Sequence, residues 1–296
     1  MSPALSTSLY GRAFDIDKAG VNMTVVAVTF EFSDGRPVAR TEAATLGEAS
    51  AALPPGSYTT LRTYGGTGVV RIDQHARRLR ESLERPGAPA SALDPKDVRA
   101  AVGEALRATG YPESRVRLTW APPRLFVSIE EFAPADPALR RSGVRCRTIT
   151  ARRDRPLAKD TRFLATAQAE YAALPAMIHE GLMVGEDGAI LEGLSSNFFA
   201  VIGGALHTED ARVLPGVTRS MVLEIARGLM PLGAGPARAD ALHAIEEAFI
   251  TSVSREILPV IGIDGATFGD GKPGPVTKEL IRRFAEAVAN ERETVS

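Results

Sequence analysis

Short stretches rich in β-branched and aromatic residues recur along the chain, and turns that contain glycine separate many of them. Such stretches predict β-strands, and turns this tight predict that neighbouring strands run antiparallel. The predicted strands of the first half cover residues 25 to 35, 58 to 64, 69 to 72, 116 to 121 and 124 to 132. Those of the second half cover residues 144 to 151, 182 to 193, 197 to 204, 248 to 253 and 256 to 265, with hairpin turns at residues 186 to 188 and 203 to 204.

Other segments predict helices. One covers residues 73 to 83, and a second runs from an N-cap at Asp94 through Pro95 to Gly110. The remaining helices are expected at residues 160 to 178, 217 to 229 and 276 to 290. The fold class is therefore α+β, a mixed α/β arrangement with mostly antiparallel strands. The proline-rich stretch 133 to 143 predicts a linker between a small α/β domain, residues 1 to 132, and a larger domain, residues 144 to 296.

The composition excludes several classes of partner. A formal charge of −1, with arginines spread along the chain, gives no field that would hold nucleic acid or a membrane surface. Cys146 is the only cysteine, which excludes internal disulfides, and four scattered histidines form no zinc-like cluster. The N-terminal stretch MSPALSTSLYGRAFDIDK lacks a basic start followed by an apolar run, and no apolar stretch is long enough to span a bilayer. We expect a cytoplasmic protein with small-molecule substrates.

Lysine is rare in this chain. Five of the 35 basic residues are lysines, at positions 18, 96, 159, 272 and 278, which leaves 30 arginines. Lys159 lies in RPLAKDTRFLATAQAEY, after a turn with proline and before an alanine-rich segment. An amine can lose its proton and attack a carbonyl, whereas a guanidinium group cannot. Lys159 is therefore a candidate catalytic amine, and an ordinary surface lysine is the alternative.

Two segments could bind an anion. LPGVTRSMVLEIARGLM, residues 214 to 230, has a glycine turn ahead of a helix, so the backbone N–H groups of Val217 and Thr218 can bind phosphate. An ordinary helix start capped by Thr218 is the alternative. The hydroxyl groups of Thr251 and Ser252 follow an apolar strand and could contact the same anion.

Two arginines could add charge to such a site. Arg71 lies four positions before His75, and Arg78 lies three positions after it, at the entry and first turn of one helix. A solvated helix face is the other explanation for this HARRLR segment.

Glu192 ends a hairpin strand beside Gly193, and Asn197 can brace the loop that follows. A carboxylate in this position can keep a heteroaromatic nitrogen protonated. The alternative is a surface acid after a turn.

Taken in order, these segments resemble the class IV aminotransferases, the fold type IV pyridoxal phosphate enzymes. The resemblance rests on Lys159 and on the segments that follow it in order: EGLSSNFF, which begins at Glu192, LPGVTR, FITSVSREILPV and GPVTKEL. It also rests on RIDQHARRLRESL in the first half of the chain. It covers residue 56 to the end. The family includes branched-chain aminotransferases, D-amino acid aminotransferases and aminodeoxychorismate lyases.

The resemblance implies a two-domain fold, with a small α/β domain and a larger pseudo-barrel domain, and it implies pyridoxal 5'-phosphate as cofactor. Lys159 would form the imine and move protons, Glu192 would contact the pyridine nitrogen, and Val217 and Thr218 would donate backbone N–H groups to the phosphate. Arg71 and Arg78 occupy the two places where relatives keep a phosphate-contacting arginine. Family members build the pocket from both domains and a neighbouring subunit, so the resemblance implies a homodimer.

The resemblance leaves two contacts open. Relatives place a hydroxyl group where this chain has Val253, so Ser252 or Ser254 would have to replace it. Many relatives also carry a tyrosine shortly after the lysine, where Phe163 and Leu164 stand here. Tyr171 or a different group would then contact the phenolic oxygen of the cofactor.

The implied reaction is transamination between an amino acid or amine and a 2-keto acid through a Schiff base at Lys159. A lyase that releases pyruvate from an aminated chorismate and a family member without catalysis are the alternatives.

Substrate choice is less determined. GPVTKEL resembles the branched-chain enzymes, while Tyr58 stands where D-amino acid enzymes have an aromatic pocket residue. The candidates to bind a substrate carboxylate are Arg62, Tyr64, Arg117 and Arg124, and each could equally be a strand surface residue.

Overall fold

The computed structural model describes residues 26 to 33, 35 to 83 and 93 to 295. Within them the chain divides into two units. The first holds the described residues up to Ala133, together with Ala158–Leu164 and residues 291 to 295; the second holds Pro134–Leu157 and Ala165–Asn290. Residues 158 to 164, which include Lys159, thus group with the first unit, and the domain boundaries expected from the sequence remain a prediction. The N-terminal stretch on which the expected absence of a targeting segment rests lies outside the described residues.

The described residues form fifteen strands and seven α-helices. The strands are β1 Ala27–Ser33, β2 Arg36–Ala43, β3 Ser57–Arg62, β4 Gly68–Val70, β5 Ser114–Ala121, β6 Arg124–Glu131, β7 Val144–Ile149, β8 Glu180–Val184, β9 Ile190–Gly193, β10 Asn197–Ile202, β11 Ala205–His207, β12 Glu247–Ser252, β13 Glu256–Ile263, β14 Ala266–Thr267 and β15 Arg292–Thr294. The helices are α1 Leu46–Ala51, α2 Ile72–Leu83, α3 Pro95–Thr109, α4 Pro137–Ser142, α5 Phe163–Ala173, α6 Val217–Arg227 and α7 Pro275–Glu291, with a 3-10 helix at Ala239–Ala244.

An antiparallel sheet in the order β2-β1-β6-β5-β3 forms the first unit. Because side chains alternate along a strand, one face of this sheet is apolar. It carries Leu61, Val116 and Ile129, which join one core cluster with Leu79 of α2 and Val102 of α3. The other face carries polar residues of β3 and β5, and α1 contacts it through the hydrogen bond from Arg117 to Ser50 Oγ.

The pairing of β4 differs from the sequence prediction. Residues 58 to 64 and 69 to 72 were expected to form antiparallel strands joined by a tight turn. The chain does reverse there, since Tyr64 N donates to Gly68 O (2.8 Å), but β3 pairs with β5 and β4 pairs with β15. Strand β4 pairs with β15, near the end of the chain, instead of forming a hairpin with β3. The sequence around β4 contains no pattern that predicts this distant partner.

The second unit contains a sheet that closes on itself. Its order is β11-β10-β12-β13-β7-β8-β9, and β9 pairs with β10 at Glu192 and Asn197 to complete the ring. All pairs are antiparallel except β7 with β8 and β7 with β13. Phe198, Ile250 and Leu258 pack with other apolar residues in one core cluster of this unit. The ring brings the ends of β9, β10 and β12 to neighbouring positions.

Helix bounds largely follow the capping residues. Helix α3 begins after the Asp94 cap and ends at Gly110, as predicted. Helix α5 is shorter than the predicted segment 160 to 178, and α6 ends at Arg227 rather than Leu229. Sequence patterns did not predict α1 or β2, a polar strand with exposed residues at one edge of its sheet.

Candidate active site

Lys159 lies in a short segment held against the edge of β3. Its carbonyl oxygen accepts from Tyr58 N (2.8 Å), and its own N–H donates to Ser82 Oγ at the end of α2 (3.0 Å). Gly56 and Thr161 exchange two further hydrogen bonds next to it. The backbone of the lysine is therefore fixed on two sides, while its side chain stays half-buried.

The amine of Lys159 lies 4.9 Å from the centre of the Tyr58 ring. A cation over an aromatic face is attracted by the ring quadrupole. Burial, then the charge of Arg78, then that of Lys159 lower the pKa of His75 well below its ordinary value. His75 is therefore neutral near pH 7 and contributes no positive charge beside the amine.

Arg78 is buried on α2, and it donates to Thr59 Oγ1. The same hydroxyl lies 2.7 Å from His75 Nδ1. Because Arg78 can only donate, we assign the Thr59 hydrogen to Nδ1, which places the ring hydrogen of neutral His75 on Nε2. Interpreting HARRLR as a solvated helix face is thus wrong for His75 and Arg78, since both side chains pack against β3.

Arg71 precedes α2 with a positive φ of 54°, a conformation that few residues other than glycine adopt. Its guanidinium forms a two-point ion pair with Glu291, with Nε to Oε2 at 2.5 Å. Which of Arg71 and Arg78 contacts a phosphate stays a prediction.

Glu192 is a buried acid at the end of β9, with only 3% of its surface exposed. Its Oε2 accepts from Asn197 Nδ2 (3.2 Å) and from Leu214 N (3.1 Å), and Arg153 Nε lies 3.5 Å from Oε1. Interpreting Glu192 as a surface acid is therefore wrong. These donors favour the ionised carboxylate.

A cavity of about 460 Å³ lies beside this acid. Arg153, Met183, Leu191 and Glu192 are among its lining residues. Volumes of roughly 300 to 1,000 Å³ are typical of sites for small organic ligands.

The start of α6 has the form of an anion site. Gly216 is the N-cap and makes no side-chain capping bond, so Thr218 does not cap the helix. Val217 and Thr218, both buried, provide the first N–H groups of the helix, which carry partial positive charge. Gly216 lies so close to Asn197 that an added Cβ would stand 2.3 Å from Asn197 Oδ1.

Hydroxyl groups at the end of β12 complete the candidate anion site. Thr251 pairs with Asn197 across the sheet, and its buried Oγ1 has no hydrogen-bond partner among the described residues. A buried hydroxyl without a partner is costly unless a ligand satisfies it. Ser252 Oγ accepts from Arg255 Nε (3.1 Å), and Val253 and Ser254 follow in a turn.

The predicted substrate residues lie together on the polar face of the first unit's sheet. Tyr58, Arg62 and Arg117 share this face by the register of β3 and β5. Arg62 stacks on Tyr64 with 4.3 Å to the ring centre, and Arg117 donates to Ser50 Oγ (2.6 Å) and lies over Tyr58. Arg62 and Arg117 are buried, so neither is a simple strand surface residue. Arg124 is exposed at the start of β6, where it contacts Glu31.

Tyr171 belongs to a polar cluster that sequence reasoning missed. Its hydroxyl donates to Glu180 and contacts Ser195 Oγ (2.5 Å), and Arg255 Nη2 lies 2.9 Å from Glu180 Oε2. No local pattern connects Glu180 with Arg255, because distant segments of the chain supply them. The only local signal was the position of Glu180, an acid at the start of the apolar strand β8.

The described residues hold no cluster of three or more metal-ligating side chains. No helix among them combines the length and the apolar character that crossing a membrane requires.

Comparison with known proteins gives sequence relatives of two kinds. A putative branched-chain-amino-acid aminotransferase of Methanocaldococcus jannaschii is 30% identical over 161 residues, 52% of this chain and 56% of the relative. A D-alanine aminotransferase of Bacillus licheniformis is 31% identical over 137 residues, 45% of this chain and 48% of the relative. The chain thus spans about half the length of the curated relatives it matches.

Solved structures share the fold. A T.th. branched-chain amino acid aminotransferase with pyridoxamine 5'-phosphate gives a TM-score of 0.71 at 23% identity, over 90% of this chain and 98% of the other. A branched-chain aminotransferase of Thermoproteus uzoniensis with norvaline gives 0.73 at 25% identity, over 91% of this chain and 100% of the other. The predicted mixed α and β fold with a barrel-like sheet is confirmed by these likenesses and by the closed ring of the second unit.

The family model for amino-transferase class IV matches residues 56 to 263, which include Lys159, Glu192, Thr218 and Thr251. The resemblance inferred from the motifs is therefore confirmed: the chain belongs to the class IV aminotransferase family.

Proposed function

We propose that this protein is a pyridoxal phosphate-dependent transaminase that moves an amino group between an amino acid or amine and a 2-keto acid. The observation that carries the proposal is Glu192, a buried carboxylate held by Asn197, Leu214 N–H and Arg153 in a chain of the class IV family. The solved neighbour bound to pyridoxamine 5'-phosphate supports the same cofactor.

The residues present fit this cofactor. Thr251 offers a buried hydroxyl that lacks a partner among the described residues, and the open N-terminus of α6 offers the N–H groups of Val217 and Thr218. Both suit a phosphate group. Pyridoxal phosphate would supply an aldehyde that binds amines and an aromatic ring that stores an electron pair.

Lys159 is the residue assigned to covalent attachment and to proton movement at the reacting carbon. Its fixed backbone limits where the amine can reach, and the neutral state of His75 leaves one positive charge fewer near it. A lysine amine held in this way is positioned for proton transfer to and from the reacting carbon.

Glu192 is assigned to hold a proton on the ring nitrogen. Burial makes the carboxylate interact strongly with that proton, and the donors on its Oε2 keep the acid oriented. Arg71 and Arg78 are the candidates for the charged phosphate contact, and Asn197 braces the acid.

A lyase of the same family is the less favoured alternative. The two relatives described above are aminotransferases by name, one of the branched-chain type and one of the D-alanine type. Pyruvate release without a keto-acid acceptor would favour the lyase. The homodimer expected from the resemblance is also part of the proposal, and sedimentation of the active protein tests it.

The deciding experiment maps the attachment site. The protein is incubated with pyridoxal phosphate, reduced with borohydride and digested, and we expect the label on the peptide that carries Lys159. Lys159→Ala should carry no label and show no transamination, whereas the exposed control Lys96→Ala should match the wild type in both. A label on another peptide, or none in the wild type, refutes the proposal.

A panel of substrates then defines the donor. L- and D-amino acids and R-amines are each paired with pyruvate and 2-oxoglutarate. Arg62→Met and Arg117→Met variants test the carboxylate contact, and a rise in KM with unchanged kcat is the expected signature.

A further inference from the structure

A buried polar network centres on Glu180, the first residue of β8, whose side chain is fully buried. Its Oε2 accepts from Arg255 Nη2 (2.9 Å), Ser196 Oγ (2.9 Å) and Ser195 Oγ (3.3 Å). Its Oε1 accepts from the hydroxyl of Tyr171 and from the next backbone N–H along the strand. One carboxylate thus satisfies donors on both of its oxygens, which is the condition for a stable buried acid.

The network reaches the turn that follows Glu192. Ser195 and Ser196 lie in that turn, and Ser196 O accepts from Gly193 N (2.7 Å). The packing is close, since a Cβ at Gly193 would lie 2.2 Å from Ser196 Oγ and 2.9 Å from Glu180 Cδ. Glu180 therefore fixes the chain on the C-terminal side of Glu192.

The network also reaches the turn that follows β12. Arg255 Nε and its backbone N both donate to Ser252 Oγ, at 3.1 and 3.3 Å. Through Nη2, the same guanidinium donates to Ser195 Oγ (2.5 Å) and to Glu180. Arg255 thus connects the turn beside Thr251 to the turn beside Glu192 within a single side chain.

We propose that Arg255 is a positioning residue that holds the phosphate-side turn, residues 252 to 255, and the acid-side turn, residues 193 to 196, in one fixed arrangement. This inference rests on the proposed function, because it assigns the two turns to one cofactor. Tyr171 supports it from α5, by holding Glu180 and Ser195. The planar guanidinium suits this task because its donors point in fixed directions, which the single ammonium of lysine cannot reproduce.

The test separates the two turns by ligand. Inorganic phosphate probes the phosphate side, pyridoxal without a phosphate probes the acid side, and pyridoxal phosphate probes both. Dissociation constants are measured on the cofactor-free protein by calorimetry or absorbance, together with urea unfolding of each sample. The variants are Arg255→Met, Arg255→Lys and Tyr171→Phe, with Arg145→Met as control, since Arg145 contacts Thr267 and Ala266 away from the network.

We expect Arg255→Met to weaken the binding of inorganic phosphate and of pyridoxal by about tenfold each, because both turns lose the charged donor that holds them. Arg255→Lys should recover part of the phosphate affinity only, and Tyr171→Phe should weaken pyridoxal binding more than phosphate binding. Arg145→Met should stay within about twofold of the wild type.

The inference is overturned if the folded Arg255→Met protein binds both probes as the wild type does while unfolding at lower urea, because the role is then structural only. Its failure differs from failure of the proposed function. If only the inference fails, the wild type binds pyridoxal phosphate and Arg255→Met binds it equally well. If the proposed function fails, the wild type does not bind pyridoxal phosphate at all.

Discussion

Gly216, the N-cap of α6, is a position where one added methyl group perturbs the acid and the candidate anion site together. An alanine Cβ would lie 2.3 Å from Asn197 Oδ1 and 3.3 Å from Arg219 Cβ. The φ of Gly216 is −67°, which alanine adopts freely, so the perturbation is steric rather than conformational. Asn197 must then move and give up its hydrogen bonds to Glu192 (3.2 Å) and Leu214 O (2.9 Å).

The expected cost follows from these contacts. Leaving buried partners without a hydrogen bond costs about 1 to 3 kcal/mol. Crowding a packed site costs about 1 to 3 kcal/mol more. Alanine also lowers the conformational entropy of the unfolded chain, which stabilises the folded protein by about 0.4 to 1 kcal/mol. Gly216→Ala should therefore lower the free energy of unfolding by about 1 to 6 kcal/mol, and it should weaken the binding of inorganic phosphate.

Gly228 provides a matched control at the other end of the same helix. Its φ is −86°, and an added Cβ would meet only Ile225 O, at 3.6 Å. Gly228→Ala should be neutral or stabilise by up to about 1 kcal/mol. Urea unfolding of both cofactor-free variants, at equal m-values, makes the comparison. If Gly216→Ala stays within about 0.5 kcal/mol of Gly228→Ala, the steric argument is wrong.

Three further outcomes are expected. Glu247 accepts hydrogen bonds from Val276 N, Thr277 N and Thr277 Oγ1 at the start of α7. Glu247→Ala should therefore lower the free energy of unfolding in urea by about 1 to 2 kcal/mol, and Glu247→Gln should lower it less. Equal losses for the two variants would contradict this capping role. Thr251→Val should leave unfolding of the cofactor-free protein almost unchanged yet weaken phosphate binding in calorimetry, and unaltered phosphate affinity would count against Thr251 as a ligand. Burial, then the charge of Arg255, lowers the pKa of His179 to about 4, below its unfolded value near 6.5. The folded protein therefore binds this proton less readily, and stability present above pH 6.5 should fall by about 2 to 3 kcal/mol as the pH drops toward 4. His179→Phe should flatten that part of the pH profile, and an unchanged profile would show that other groups cause it.

Local patterns were sufficient for most strands and for helix starts. The hairpin between β8 and β9 follows from its Glu186-Asp187-Gly188 turn, and α3 follows from its Asp94 cap and Pro95. The polar edge strand β2 was missed because Val38 and Thr41 are its only β-branched residues, it has no aromatic residue, and charged residues, alanine and proline make up the rest. The pairing of β4 with β15 was missed because it is decided by packing between distant segments.

The candidate site shows the same division. Lys159, Glu192 and the start of α6 stand in short motifs, so the residue types and their spacing made them candidates. The burial of Glu192 and Arg78 was not predictable. The local sequence around a strand-end acid or a helix arginine is the same whether the side chain is exposed or buried. The Glu180 network depends on residues from four separate segments, and only the folded chain brings them together.

The ring of strands in the second unit has a consequence for how the chain is made. Its parallel joint, β7 with β13, places Val144 beside Val260, two residues far apart in sequence, so a long loop must close before this pairing can form. A nascent or truncated chain that stops before Glu256 would leave β7 and β12 with open hydrogen-bonding edges, ready to recruit strands from other molecules. Protection from aggregation therefore arrives only once β13 has been synthesised.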